Sequence, residues 1–352
     1  MKRLGSGMVG LVAAVAWNTL APQVPLADEP RLPDAGPPIA PLHRGAGGEI
    51  EIVDPASARR SGAPLCDKGA LCVGPGQRHR TLSAGLAAAK DGELVELIGG
   101  TYRESVTLGY RNLTLRGVAG RPHIDCKGLA LAGDRGCLLL AADGITLENL
   151  ELSGAAPIDA SGEAAASCIA AEPDIDFSLS GIVCHDSHNG VIAHGGKVLI
   201  VESEFYGNGT RRGANNVALD EGCFLTVRSS IFRDARYGAE LVARCARTTI
   251  SDSTFRSAEG KVALDLPEGG ETLVYRTNFE KLRDAAQGDL IRFSAEGCRY
   301  PGSMVLKDVR IANVRPDTGL RNFDRCFGNA IILEHVTFEG VPPQQVGYIL
   351  VR

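Results

Sequence analysis

Residues 223–255 read CFLTVRSSIFRDARYGAELVARCARTTISDSTF, and this stretch states one short phrase twice. Val227 to Phe232 and Ile250 to Phe255 each consist of an apolar residue, four mostly polar ones and a phenylalanine. Between the two copies lie a turn, Gly238 and a second alternating strand, AELVAR. A phrase that returns with its own turn and strand is one coil of a repeat, and its alternation has the period of strands rather than helices.

Outward from this stretch the phrase recurs at Leu147/Leu152, Leu179/Cys184, Ile200/Phe205, Val274/Phe279, Leu306/Ile311 and Leu333/Phe338. Leu115 carries its first half, with Gly120 at the anchor position. Intervals from position 120 to Phe338 run between 21 and 32 residues with a mean near 27, the spacing of a solenoid, propeller or array. Their variability excludes helical-hairpin repeats of fixed length. Glycine opens further strands in Gly190-VIAH, Gly238-AELVAR, Gly260-KVALDL, Gly288-DLIRF and Gly347-YILV. The expected geometry is several short strands per coil, each coil about 4.8 Å above the last. Glycine belongs at corners that need a positive φ or leave no room for a Cβ. The phenylalanine anchors are expected as core stacks. The fold class is all-β, a single parallel β-helix of about nine or ten coils over residues 61–352.

Residues 1–27 read as a secretory signal, with Met1, Lys2 and Arg3 before the apolar run GMVGLVAAVAW. That run is too short to span a bilayer. A cleavage site is expected after Ala27, a retained anchor being the alternative. Residues 28–60 read as a Pro/Ala/Gly-rich linker, with GEIEIV (48–53) as a possible isolated strand. The expected location is secreted or periplasmic, with no membrane insertion after cleavage. Ten cysteines in an exported chain indicate disulfides. The repeat register places Cys223 beside Cys245 and Cys298 beside Cys326, and Cys66–Cys72 is expected locally. Among the middle four, Cys137–Cys168 and the pair Cys126–Cys137 with Cys168–Cys184 both remain open. The formal charge of −5 and pI of about 5.9 argue against a nucleic-acid partner. Charge is uneven, however: −7 between Arg121 and Ser180, and +3 between Arg211 and Arg256.

From Thr81 to Leu108 the chain reads TLSAGLAAAKDGELVELIGGTYRESVTL. Thr81 or Ser83 can cap a short helix ending at Lys90, before Asp91-Gly92 turns into a strand. Such a helix covers the open end of the first coil. This stretch, followed by NLTLRG and the phrases above, resembles the start of right-handed parallel β-helix proteins of the pectin-lyase-like superfamily. The resemblance covers roughly residues 72–350 and implies that fold with an N-terminal capping helix. Thr101-Tyr102-Arg103-Glu104 is similar to the first coil of pectin methylesterases, but the Gln-Asp-Thr-Leu and Asp-Phe-Ile-Phe-Gly motifs of their catalysis have no counterpart here. The polygalacturonase set is also missing. Asp186-Ser187-His188-Asn189 resembles the Asp-Pro-His-Asp signature of alginate epimerases at Asp186 and His188, departing at Ser187 and Asn189.

The strand alternation turns Val217, Leu219, Val262 and Leu264 inward and Asp220 and Asp265 outward. His194 and Arg244 are expected on the same strip, with Glu240 on the strand of Arg244 and Arg292 further along. His188, His194, Asp220, Arg244 and Asp265 are therefore the candidate catalytic residues. Two chemistries suit them. Taking the proton beside a uronate carboxylate needs a base, His188 or His194, and a cation such as Arg244. Glycosidic hydrolysis needs paired carboxylates, here Asp220 and Asp265. An outward Asp or Arg is also an ordinary cross-coil ion pair. His185, His188 and His194 form a possible metal cluster, and Glu172, Asp174 and Asp176 a possible Ca²⁺ turn. Asn208-Gly209-Thr210 is a turn and a sequon. With Trp17 in the signal, Tyr206 and Tyr237 are the rings left to stack on sugar. The expectation is an exported polysaccharide-active protein, a lyase or epimerase on an acidic (uronate) glycan. The alternatives are a glycoside hydrolase and a non-catalytic carbohydrate-binding or cell-surface scaffold.

Overall fold

The computed structural model describes residues 65–156, 166–210, 213–257, 259–323 and 328–352. The expected signal, the linker, the GEIEIV strand and Cys326 lie outside the described residues.

Three parallel sheets wrap the chain into a right-handed parallel β-helix. The first sheet has twelve strands and the second and third have ten each. From the strand Leu94–Ile98 onward, every strand pairs with the one three elements later. The apolar residue that opens each phrase lies in the first sheet, where Leu115, Leu147, Leu179, Ile200, Val227, Ile250, Val274, Leu306 and Leu333 stand directly opposite one another. The anchors form the matching row of the second sheet: Ile124, Leu152, Cys184, Phe205, Phe232, Phe255, Phe279, Ile311 and Phe338. Phe205, Phe232, Phe255 and Phe279 stack with centroids 5.4, 4.8 and 4.9 Å apart.

One anchor falls elsewhere than the sequence suggests. Ile124, not Gly120, holds that position, because Ala119 (φ 51°) and Gly120 (φ 113°) make a longer corner before the strand His123–Asp125.

The polar middle of the phrase is a corner. Asn149, Glu202, Ser229, Asp252, Arg276, Asp308 and His335, each following a first-sheet strand, have φ between 46° and 53°. For a residue with a Cβ this conformation costs roughly 1–2 kcal/mol. At Glu202, Ser229 and Asp252 a hydroxyl ladder on the next residue offsets that cost. Ser203, Ser230 and Ser253 accept from the backbone N–H of Ile182, Ser203 and Ser230 at 3.1–3.2 Å, and each donates to the carbonyl two residues back. Glycine therefore does not set this corner, except at Gly181. At Gly190 and Gly238 the reason is space: an added Cβ would sit 2.1 Å from the carbonyl oxygens of Asn216 and Ala214. Gly347 leads a first-sheet strand, Ile349–Val351, so the C-terminal phrase is not equivalent to the other glycine-led strands.

The capping helix runs Leu82–Ala88, stopping short of Lys90. Thr81 Oγ1 accepts from Ala84 N–H, and the Glu104 carboxylate accepts from the N–H groups of Leu82 and Ser83 at 2.7 and 2.9 Å. Leu82 and Leu86 are buried over the first coil. Disulfides join Cys66–Cys72, Cys126–Cys137, Cys168–Cys184 and Cys223–Cys245. The second of the open alternatives is thus the one formed. Asn208 is fully buried, its side chain bonded to Cys184 O and Asn216, so its sequon is a structural corner.

Candidate functional site

Strands Asn189–His194, Val217–Asp220, Ala239–Ala243, Val262–Leu266 and Ile291–Phe293 stack in the third sheet. Their inward residues, among them Val217, Leu219, Leu241, Leu264 and Leu266, fill the core. The alternate positions face outward, and this parity brings His194, Asp220 and Arg244 into one row. His194 stands opposite Asp220. Its Nδ1 is 3.5 Å from Asp220 Oδ2, and Arg244 donates to Asp220 Oδ1 at 2.7 Å. Glu296, from a loop 52 residues further along the chain, accepts a forked pair of bonds from Arg244 at about 3.0 Å. Arg299 of the same loop pairs with Glu221. The loop thus crosses one end of the sheet above the row.

Asp265 belongs to the neighbouring row. It stands opposite Val242 and Arg292, and Arg292 opposite Arg321. It is largely shielded from water, with Arg292 at 3.6 Å. Oδ1 of Asp265 and Nε of Arg292 are both buried with no hydrogen-bond partner among the described residues. Burial pushes the Asp265 carboxyl up to about 6, against the pull of Arg292 and Arg244. Glu240 does not join either row. It turns into a corner, wholly buried, where Ala235 N–H, Asn216 and Ser257 donate to it, and burial pushes it up to about 8.

His188 lies apart from His194, just before the opposite end of the same strand. It is buried, with Nδ1 2.9 Å from Thr210 Oγ1. The trio His185, His188 and His194 does not converge, nor does the turn of Glu172, Asp174 and Asp176. In that turn Glu172 pairs with Arg135, and Asp176 accepts from Lys197 N–H at 2.7 Å. Among the described residues, the ligand atoms that meet are those of His123, Glu151 and His185. They lie on the second sheet, where the hydrogen bond between His185 and Glu151 holds the imidazole above its usual range and the carboxylate below its own. Glu296 is invisible to sequence reasoning, since nothing local links it to Arg244. His123, Glu151 and His185 do carry a signal, as each flanks an anchor.

No protein-family model matches the sequence, and no curated protein is significantly similar to it. Solved structures do align. A pectin methylesterase from carrot is 12% identical, covering 82% of this chain and 90% of its own with a TM-score of 0.48. The pectate lyase Pel9A is 11% identical over 76% and 73%, with a TM-score of 0.46. The three-sheet coil is a parallel β-helix. At such identities the likeness concerns the fold alone, and the outward residues have to be read for themselves. No helix of the described residues is long and apolar enough to cross a membrane.

Proposed function

We propose that this chain is an exported protein acting on an acidic polysaccharide, as a lyase or epimerase, on the outer face of its third sheet. The observation that carries the reading is Asp265, a desolvated carboxylate with one unpartnered oxygen, set between Arg292 and the row of His194, Asp220 and Arg244. A carboxylate titrating near 6 is a base matched to a weakly acidic carbon at neutral pH. Arg292 and Arg244 supply positive charge for a uronate carboxylate and for the enolate formed when its neighbouring proton leaves. In a lyase the electron pair then expels the glycosidic oxygen, which takes a proton, with His194 beside Asp220 as donor. In an epimerase the carbon is reprotonated from its other face. His188, at the far side of the strand, has no part in this arrangement. The four disulfides suit an oxidising compartment, and the pectin-active enzymes with a similar coil act on uronate polymers.

The test is incubation with a panel of uronate polymers, followed by ultraviolet absorbance of unsaturated ends and uronate composition. Turnover is expected to rise with pH through about 6, and Asp265→Asn to lower it at least about 100-fold in a folded protein. Full activity in that variant removes Asp265 from the chemistry. A panel with no product at all favours the second reading, a carbohydrate-binding scaffold. That reading has its own observation, because Arg244 is already occupied by Asp220 and Glu296. Hydrolysis by paired carboxylates is less well served, since Asp220 is engaged by Arg244 and Asp265 stands in another row.

A further inference from the structure

The second sheet carries on its outer side a cluster that the proposed chemistry does not use. Strands His123–Asp125, Glu151–Ser153 and Val183–His185 stack on three successive coils, with His123 opposite Glu151 and Ser153 opposite His185. Ile124, Leu152 and Cys184 fill the core row, so the residues on either side of each face outward. One imidazole thus precedes an anchor, a carboxylate precedes the next, and a second imidazole follows the third. Their ligand atoms all lie within 4.8 Å of one another.

The surroundings fix His185 in a ligand's orientation. Its Nδ1 is 2.9 Å from Asp186 Oδ2, and the other Asp186 oxygen accepts from Arg236 at 2.6 Å. The ring lies flat on Tyr206, 4.9 Å away at 9°. From the next coil Arg233 covers Tyr206 at 4.1 Å, its charge answered by Glu204 and Asp234. A carboxylate behind one imidazole nitrogen leaves the other as a lone-pair donor, the usual support of a metal-bound histidine. Here that nitrogen, Nε2, faces Glu151 at 3.2 Å. Two imidazoles and one carboxylate suit a borderline ion of the zinc type, whose open fourth position takes water or a ligand oxygen. Calcium and magnesium, which prefer oxygen donors throughout, are poorly matched. We infer that His123, Glu151 and His185 form a binding site for a zinc-class divalent transition-metal ion that clamps three successive coils and keeps one coordination position toward solvent.

The experiment uses the full chain, stripped with chelator and titrated with Zn²⁺ by calorimetry at pH 8. One ion per chain is expected, with a rise in unfolding temperature because the ligands come from three coils. His123→Ala and His185→Ala should each weaken binding at least 10-fold, and Asp186→Asn about 10- to 100-fold, while His335→Ala leaves it unchanged. Should the ligand variants fail to fold, the wild-type chain still decides. Zn²⁺ should protect the peptides bearing His123 and His185 from diethyl pyrocarbonate, but not the one bearing His335. Absence of stoichiometric binding, undiminished affinity in both histidine variants, or protection elsewhere overturns the assignment.

Discussion

At Asp265 the fold holds a carboxylate where little water reaches it, and the consequence is measurable apart from any substrate. Its folded pKa of about 6 stands above the ordinary 3.8, so folding favours the protonated form. The stability this group contributes is whole below about pH 4 and is lost as pH rises through about 6. Asp265→Asn removes the charge, and is expected to raise the unfolding free energy at pH 8 by up to about 3 kcal/mol while changing it little at pH 4. Denaturant unfolding at the two pH values tests this. A loss of stability at pH 8 would mean that the ion pair with Arg292 outweighs the desolvation. Groups shifted in this way cluster at functional sites, and Asp265, unlike the enclosed Glu240, lies in a row of outward positions.

The elements draw their strength from rows rather than from individual strands. A strand of three residues such as Ile231–Arg233 is too short to persist alone, and is held by the coil on either side. The row of anchors supplies much of that hold, since Phe205, Phe232, Phe255 and Phe279 are all fully buried. Phe255→Ala is expected to cost about 3–5 kcal/mol, and Phe338→Ala distinctly less, because Phe338 is only partly buried at the end of its row. Urea midpoints for the two variants provide the comparison. Equal losses would show that the stack does not act as a graded row.

For the whole molecule the exposed ends are the weak points, as in any array whose coils stabilise only their neighbours. The capping helix covers the first coil through Leu82 and Leu86. Gly85 lets it approach so closely that a Cβ there would meet Val73 at 2.3 Å. Leu86→Asp should detach the helix and bare strand edges that can pair with another chain. Concentration-dependent association in sedimentation velocity is the expected result. A variant that stays monomeric and cooperatively folded would show that the first coil protects itself.

The repeat was legible because side-chain parity in a strand and the stacking of equivalent positions are local consequences of chain geometry. Leu147 to Leu333 and Leu152 to Phe338 could be aligned from their spacing alone, as could Cys223 with Cys245 and the outward turn of Asp220. Where a corner differed in length the alignment slipped, as at Gly120 and Ile124. The middle disulfides stayed open because two pairings satisfied the same register. What only the tertiary structure decided depends on side chains that arrive from distant coils or loops. Glu296 reaches Arg244 across 52 residues. The burial that lifts Asp265 needs its neighbours packed around it, and His185 meets Glu151 and His123 rather than His188 and His194. The sequence by itself determined most of the alternation between inward and outward positions, since a period of two does that. Glu240 and Val262 are exceptions: the first turns into a buried corner and the second packs with Ala239 and Val242 outside the main core. Which outward residues meet, and which of them lose their water, was decided by the stacking of coils of unequal length.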